Sequence, residues 1–258
     1  MFSGSVPYNQ WRKLGVFFVF RFAFSVRLML VPAFALMLVG CSTPPQSANA
    51  GVPSTGAENT STTKVETFDN LPKLKGSATV VMETTKGTIT IALDGDNAPV
   101  TAGNFADLVR RGFYNGLTFH RVEKDPQPFV IQGGDPKGNG TGGFIDPKTK
   151  TERTIPLEIK TAGDTQPVYN TEVVPSTPAK KLVLPHSRGA IAMARSAPLG
   201  SASSQFYFTL APIDFLDGHY AVFGKIVKGE EVIDKIVVGD KITKATLSKG
   251  AENIQQPK

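Results

Sequence analysis

Residues 119–135 read Phe-His-Arg-Val-Glu-Lys-Asp-Pro-Gln-Pro-Phe-Val-Ile-Gln-Gly-Gly-Asp. One arginine, Arg121, stands close to Phe129 and Gln132, and two glycines follow at once. Two further blocks lie downstream: Ser204-Gln205-Phe206-Tyr207 and Phe215-Leu216-Asp217-Gly218. Around all three, the chain is written in short β-prone runs.

Upstream, residues 79–84 and 88–93 are β-branched and partly alternating, with Lys86-Gly87 between them as a turn, so they read as a hairpin. Pro99 opens a predicted helix at its first position, with Phe105, Leu108 and Val109 on one face and Gly112 as its stop. Short strands are expected over 118–122, 129–132, 190–194, 205–210, 221–226 and 243–247. A second helix is expected over 230–238, because acids sit in its first turn and Val232, Ile233, Ile236 and Val237 give it an apolar side. Many short strands and only two helices make the chain mainly β. They argue for a closed antiparallel barrel. Residues 144–188 are rich in Pro, Lys and Thr; 154–159 is their most ordered-looking part, and the rest reads as surface loop.

The formal charge of +6 in 258 residues looks basic, but residues 1–40 hold Arg12, Lys13, Arg21 and Arg27 and no acid. Without them 24 basic residues face 22 acidic ones, a net +2, so a nucleic-acid partner is not expected. Residues 28–40 form an uncharged apolar run behind those basic residues, the layout of a secretory signal and too short to span a bilayer comfortably. Leu38-Val39-Gly40-Cys41 looks like a bacterial lipobox, with Cys41, the only cysteine, as the lipidated residue. An uncleaved anchor is the alternative, although Arg21 and Arg27 interrupt the longer apolar reach. Residues 42–66 lack the apolar groups to order themselves and read as a tether. The expected organisation is a signal over 1–40, a tether over 41–76, a folded domain over 77–249 and a tail over 250–258. The product would be exported and lipid-anchored to a bacterial membrane, facing the periplasm or the exterior.

The three quoted blocks, in this order, resemble the cyclophilin family of peptidyl-prolyl cis-trans isomerases. The resemblance covers about two thirds of the chain. It implies an eight-stranded closed barrel with a helix over each end, proline-containing polypeptides as substrates, a monomer, and no cofactor. By position it implies Arg121, Phe129 and Gln132 as the catalytic set. The substrate groove would be lined by His120, Gly140, Met193, Ala194, Arg195, Ser196, Gln205, Tyr207, Phe215, Leu216 and Tyr220. Arg195 stands where the family has Asn, Tyr207 where it has Phe, Phe215 where it has Trp, and Tyr220 where many members have His. The hydroxyl of Tyr207 is expected to make the pocket slightly more polar. Strict alternation puts Phe129 and Gln132 on opposite faces of a strand, so a local twist or bulge is expected between them.

The chemistry asked of such a site is modest. An X-Pro bond turns slowly because amide resonance imposes a barrier of roughly 20 kcal/mol. No bond breaks, so neither nucleophile nor metal is needed; the site must bind the twisted amide better than either planar form. A guanidinium N–H aimed at the amide nitrogen meets a lone pair only in the twisted state. His120 is expected to act as a wall rather than a base. Three scattered histidines and no cysteine pair lack metal-ligand spacing. Residues 138–143 formally satisfy G-x-G-x-x-G, but Asp135-Pro136 precedes them and Phe144-Ile145-Asp146-Pro147 follows instead of a helix, so nucleotide binding is not expected. A binding or holdase module of the same fold, with incidental catalysis, is the alternative reading.

Overall fold

The computed structural model describes residues 68–174 and 181–257. The expectations for the signal, for Cys41 and for residues 42–66 lie outside the described residues. Twelve strands and two helices follow one another: β1 (Lys73–Leu74), β2 (Ser77–Thr84), β3 (Gly87–Asp94), α1 (Pro99–Arg110), β4 (Arg121–Val122), β5 (Val130–Gly133), β6 (Glu158–Ile159), β7 (Val168–Tyr169), β8 (Ala190–Met193), β9 (Phe206–Thr209), β10 (Val222–Lys228), α2 (Glu230–Ile233), β11 (Ile242–Lys249) and β12 (Ile254–Gln255).

Eight of these strands form one antiparallel sheet in the order β11-β2-β3-β10-β8-β9-β5-β4. The expected closed barrel is corrected here: the sheet is an open half-barrel. Its end strands, β11 and β4, share no ladder among the described residues. The segments that lead into them meet at an isolated bridge, Thr118 to Lys241, flanked by backbone hydrogen bonds of Gly116 and Leu117 with Ile242 and of Phe119 with Gly239 and Asp240. The edge is short because β4 ends after two residues and runs into Pro126 and Pro128, which have no N–H for a ladder.

The β2–β3 hairpin forms as expected, but its turn is Thr85-Lys86, one residue before the expected Lys86-Gly87, with Thr84 opposite Gly87. Alternate residues of both strands, including Val80, Met82, Ile89 and Ile91, are fully buried. Helix α1 starts at Pro99 but has no side-chain cap of its own. The cap comes from β6: Val100 N and Thr101 N donate to the Glu158 carboxylate at 3.1 and 2.7 Å. Burial pushes the Glu158 carboxyl above its ordinary range, against the pull of those N–H groups. Replacing Glu158 by Ala leaves two buried donors unpaired and should cost about 1–3 kcal/mol in chemical denaturation.

One face of α1 is apolar in sequence, yet all its residues from Val100 to Val109 are buried. The second face is covered by the β1–β12 ribbon, in which Lys73 pairs with Gln255 and Leu74 with Ile254. The approach is so close that a Cβ on Gly103 would sit 2.5 Å from the Lys73 Cα. This ribbon extends the folded body at both ends of residues 77–249. The aromatic rings of Phe105, Tyr114, Phe206 and Phe223 fill the space between α1 and the sheet.

The second helix is shorter than expected and stops at Ile233. The following run is β-branched, which disfavours helix, and the Asp240 carboxylate takes the Val237 N–H at 2.7 Å. Val237 and Val238 are left exposed. Within 144–188 more is ordered than residues 154–159. A small β6–β7 sheet and bridges from Ile155 to Ala202 and from Thr161 to Leu182 tie the segment down.

Candidate active site

Sheet register brings the key residues together. Arg121 on β4 is the cross-strand partner of Gln132 on β5, and Gln132 is the partner of Tyr207 on β9. Partners in a ladder share a face, so three residues far apart in sequence form one row. Phe129 lies just before β5, outside the alternation. The β5–β9 register runs without interruption, so the expected bulge is absent. Val130 and Gln132 share the pocket-facing side instead, Ile131 enters the core, and Phe129 joins the pocket from the strand's end.

These residues line a pocket of about 260 Å³ with Leu216, Tyr220 and Arg195. The Arg121 guanidinium carbon sits 5.7 Å from the centroid of the Phe129 ring. Its Nη1 donates to Gln132 Oε1 at 3.3 Å, and its Nε reaches Glu123 Oε1 at 3.4 Å. Nη2 has no protein partner among the described residues. Gln132 Nε2 donates in turn to Gln205 Oε1 at 2.9 Å, and Gln205 Nε2 to the carbonyls of Gly140 and Gly142 at 3.1 and 2.8 Å. A chain of amides thus aims Arg121 from behind.

A second pocket, of about 390 Å³, adjoins the first and shares Gln132 and Arg195 with it. Gly140, Ala194, Ser196 and Gln205 line it. Its glycine loop is organised by buried Asp135, whose carboxylate accepts the N–H groups of Lys137, Asn139 and Gly140. Burial would raise the Asp135 pKa, but those three donors hold it below its ordinary range.

A family model, cyclophilin type peptidyl-prolyl cis-trans isomerase/CLD, matches residues 79–254. The chain is a cyclophilin-family member. A Synechocystis sp. protein, named as a thylakoid lumen peptidyl-prolyl cis-trans isomerase, is 47% identical over 199 residues; these are 73% of this chain and 52% of that protein. The chloroplastic peptidyl-prolyl cis-trans isomerase CYP38 of Arabidopsis thaliana is 39% identical over 210 residues, 74% of this chain and 47% of that protein. The chain spans about half the length of these two relatives. A crystal structure of a Cryptosporidium parvum cyclophilin type peptidyl-prolyl cis-trans isomerase overlays with a TM-score of 0.49 at 24% identity, covering 67% of this chain and 98% of that chain.

Other residues named from the cyclophilin resemblance fall around the two pockets in different ways. Phe215 is 71% exposed and stacks on Phe129 at 5.8 Å; it lines an open groove beyond Phe129 rather than the 260 Å³ pocket. Met193 is buried in the core, so its side chain lines neither pocket. His120 also lines neither. Its ring packs near Gly140, both its nitrogens are buried without a hydrogen-bond partner, and burial lowers its pKa.

Tyr207 corrects an expectation. Its hydroxyl does not add polarity to the cyclophilin pocket, because it meets His186 Nε2 at 2.9 Å. His186 Nδ1 lies 2.8 Å from Asp217 Oδ1, which assigns the proton to Nδ1 and makes the tyrosine the donor to Nε2. Tyr207→Phe leaves a fully buried imidazole nitrogen unpaired and should lower stability by about 1–3 kcal/mol in thermal or urea unfolding. Burial, only partly opposed by Asp217, holds the His186 pKa below its ordinary value. The folded state therefore favours neutral His186, and this contribution to stability is lost as pH falls below about 6.5.

Sequence reasoning missed Val130, Asp135, His186 and Asp217. Val130 was recoverable, since it lies two residues before Gln132 on the same strand face. Asp135 bonds to N–H groups two to five residues further along its own loop, whereas the contacts of His186 with Tyr207 and Asp217 depend on how distant segments meet.

Proposed function

We propose that this domain accelerates cis–trans rotation of X-Pro bonds in polypeptides. The observation that carries the reading is the convergence of Arg121, Phe129, Gln132, Tyr207 and Leu216 on one pocket of about 260 Å³. The volume and the apolar walls suit a pyrrolidine ring. Arg121, half-exposed and aimed by Gln132, offers its remaining N–H groups to an amide nitrogen above that ring. A planar amide nitrogen is a poor acceptor and a twisted one is a good acceptor, so the contact strengthens only as the bond turns. The adjoining pocket of about 390 Å³ receives the side chain of a residue on the N-terminal side of the proline.

The substrates are extended or unfolded segments of exported proteins, and the domain is held to a membrane through a lipid on Cys41. What supports this is the apolar run of 28–40 behind four basic residues, together with relatives named for the thylakoid lumen and the chloroplast. Among the described residues, no helix is long and apolar enough to cross a membrane. The test is the isomerisation rate of a short X-Pro peptide with the full chain. Acceleration above the uncatalysed rate is expected. A rate equal to buffer alone would end the reading.

A further inference from the structure

Arg195 sits between the two pockets and lines both. Its side chain is only 9% exposed, which is low for an arginine at the mouth of a groove. Nearly all its donors are committed to protein. Nη1 donates to Ser196 O and Ala197 O at 3.0 and 3.2 Å, and Nε donates to His219 O at 3.0 Å. Nη2 donates to Glu172 Oε1 at 2.7 Å. The guanidinium carbon also stacks over Tyr220, a wall of the smaller pocket, at 4.9 Å. The side chain therefore joins three stretches of chain: the 194–197 edge, the 218–220 corner and the segment after β7.

That third stretch is built to reach the site. Val173 N donates to Gly218 O at 3.1 Å. The two backbones press so closely that a Cβ on Gly218, at φ +78°, would fall 1.6 Å from Val173 O. Glu172 is thereby delivered to Arg195, and the same carboxylate oxygen lies 3.3 Å from His219 Nδ1.

Given the isomerase activity proposed above, we infer that Glu172 and Arg195 form a clamp that presets the 194–197 edge of the groove. The 144–188 segment thus supplies a positioning residue for X-Pro isomerisation. Glu172 touches no substrate. It fixes the plane of Arg195, and Arg195 fixes the carbonyls of Ser196 and Ala197 and the Tyr220 wall. A preset edge lowers the ordering cost of laying an extended peptide along it, so the clamp acts on substrate binding more than on the turning bond.

The experiment measures kcat and KM for an X-Pro peptide in the full chain, with peptide Kd by titration and amide hydrogen exchange beside them. Glu172→Gln is expected to raise KM and Kd about three- to tenfold while kcat moves less than about twofold. Exchange should quicken at 194–197 and 218–220 but not in the β2–β3 hairpin. Arg195→Lys should give at least the same loss, because an ammonium cannot meet four acceptors in a plane. Unchanged KM, Kd and exchange in Glu172→Gln would overturn the clamp, whatever the wild-type rate. A general rise in exchange would also overturn it, by making the role merely structural. Absent turnover in the wild type would overturn the isomerase reading alone, since Kd and exchange still report on the clamp. Absent turnover and absent peptide binding would overturn both.

Discussion

Arg121→Ala is expected to lower kcat/KM for an X-Pro peptide by about 10²–10³-fold, roughly 2.7–4 kcal/mol of transition-state stabilisation, the scale of one lost donor at a preorganised site. The pocket would keep its apolar walls, so peptide affinity should fall far less than turnover. Arg121→Lys should not restore the rate, because an ammonium lacks the planar fork that Gln132 and Glu123 hold in place. Stability should hardly change, since the side chain is 45% exposed and stands on a two-residue edge strand. A protease-free isomerisation assay by NMR exchange, run beside thermal melts, reads both quantities. Equal turnover in wild type and Arg121→Ala would remove the arginine from the mechanism, even if the domain remained an isomerase.

Asp107→Asn is expected to cost about 3–5 kcal/mol of stability, the range for removing one partner of a buried ion pair. Asp107 is fully buried near the end of α1 and accepts hydrogen bonds from Arg110, Arg111 and Arg153 at 2.8, 2.7 and 2.8 Å. Arg153 is the vulnerable partner. Its side chain is 8% exposed, its Nε and Nη2 already lack partners, and its guanidinium lies 4.6 Å from the Phe144 centroid. An amide in place of the carboxylate would leave that cation without a counter-charge. Burial by itself would raise the Asp107 pKa, but the bonds from Arg153 and Arg111 outweigh it and hold the carboxyl below its ordinary range. A depressed folded pKa means stability that is present above about pH 3.9, the unfolded value, and lost as pH falls through the folded one. Urea denaturation at neutral pH should show the loss. The same measurement in acid should show the wild type converging on the variant.

Much of this was legible in residue order. The hairpin around Lys86 and the helix opening at Pro99 needed only local pattern and spacing, whereas the Arg121, Phe129, Gln132 and Gln205 set came from the cyclophilin resemblance. Phe129 shows where local pattern misleads. Alternation was applied to a residue that lies one position outside its strand, and the difficulty vanishes with the boundary. The closed barrel was an inference from strand count, and whether the edges of a sheet meet depends on edge length and on prolines as well as on number. The hydroxyl of Tyr207 looked like a pocket feature because its partner, His186, is 21 residues away in the chain. Glu172 carried no signal at all. An acid in a polar loop reads as solvated, and only the tertiary path of residues 168–174 brings it to Arg195.

The short ribbon across α1 has a mechanical consequence. Lys73 and Gln255 are neighbours, so the two ends of the folded body meet at one seam. A pull from residues preceding 68 would load that seam in peeling, one residue pair at a time. The helix beneath would begin to lose its cover with the first pair, because Gly103 lies directly against Lys73.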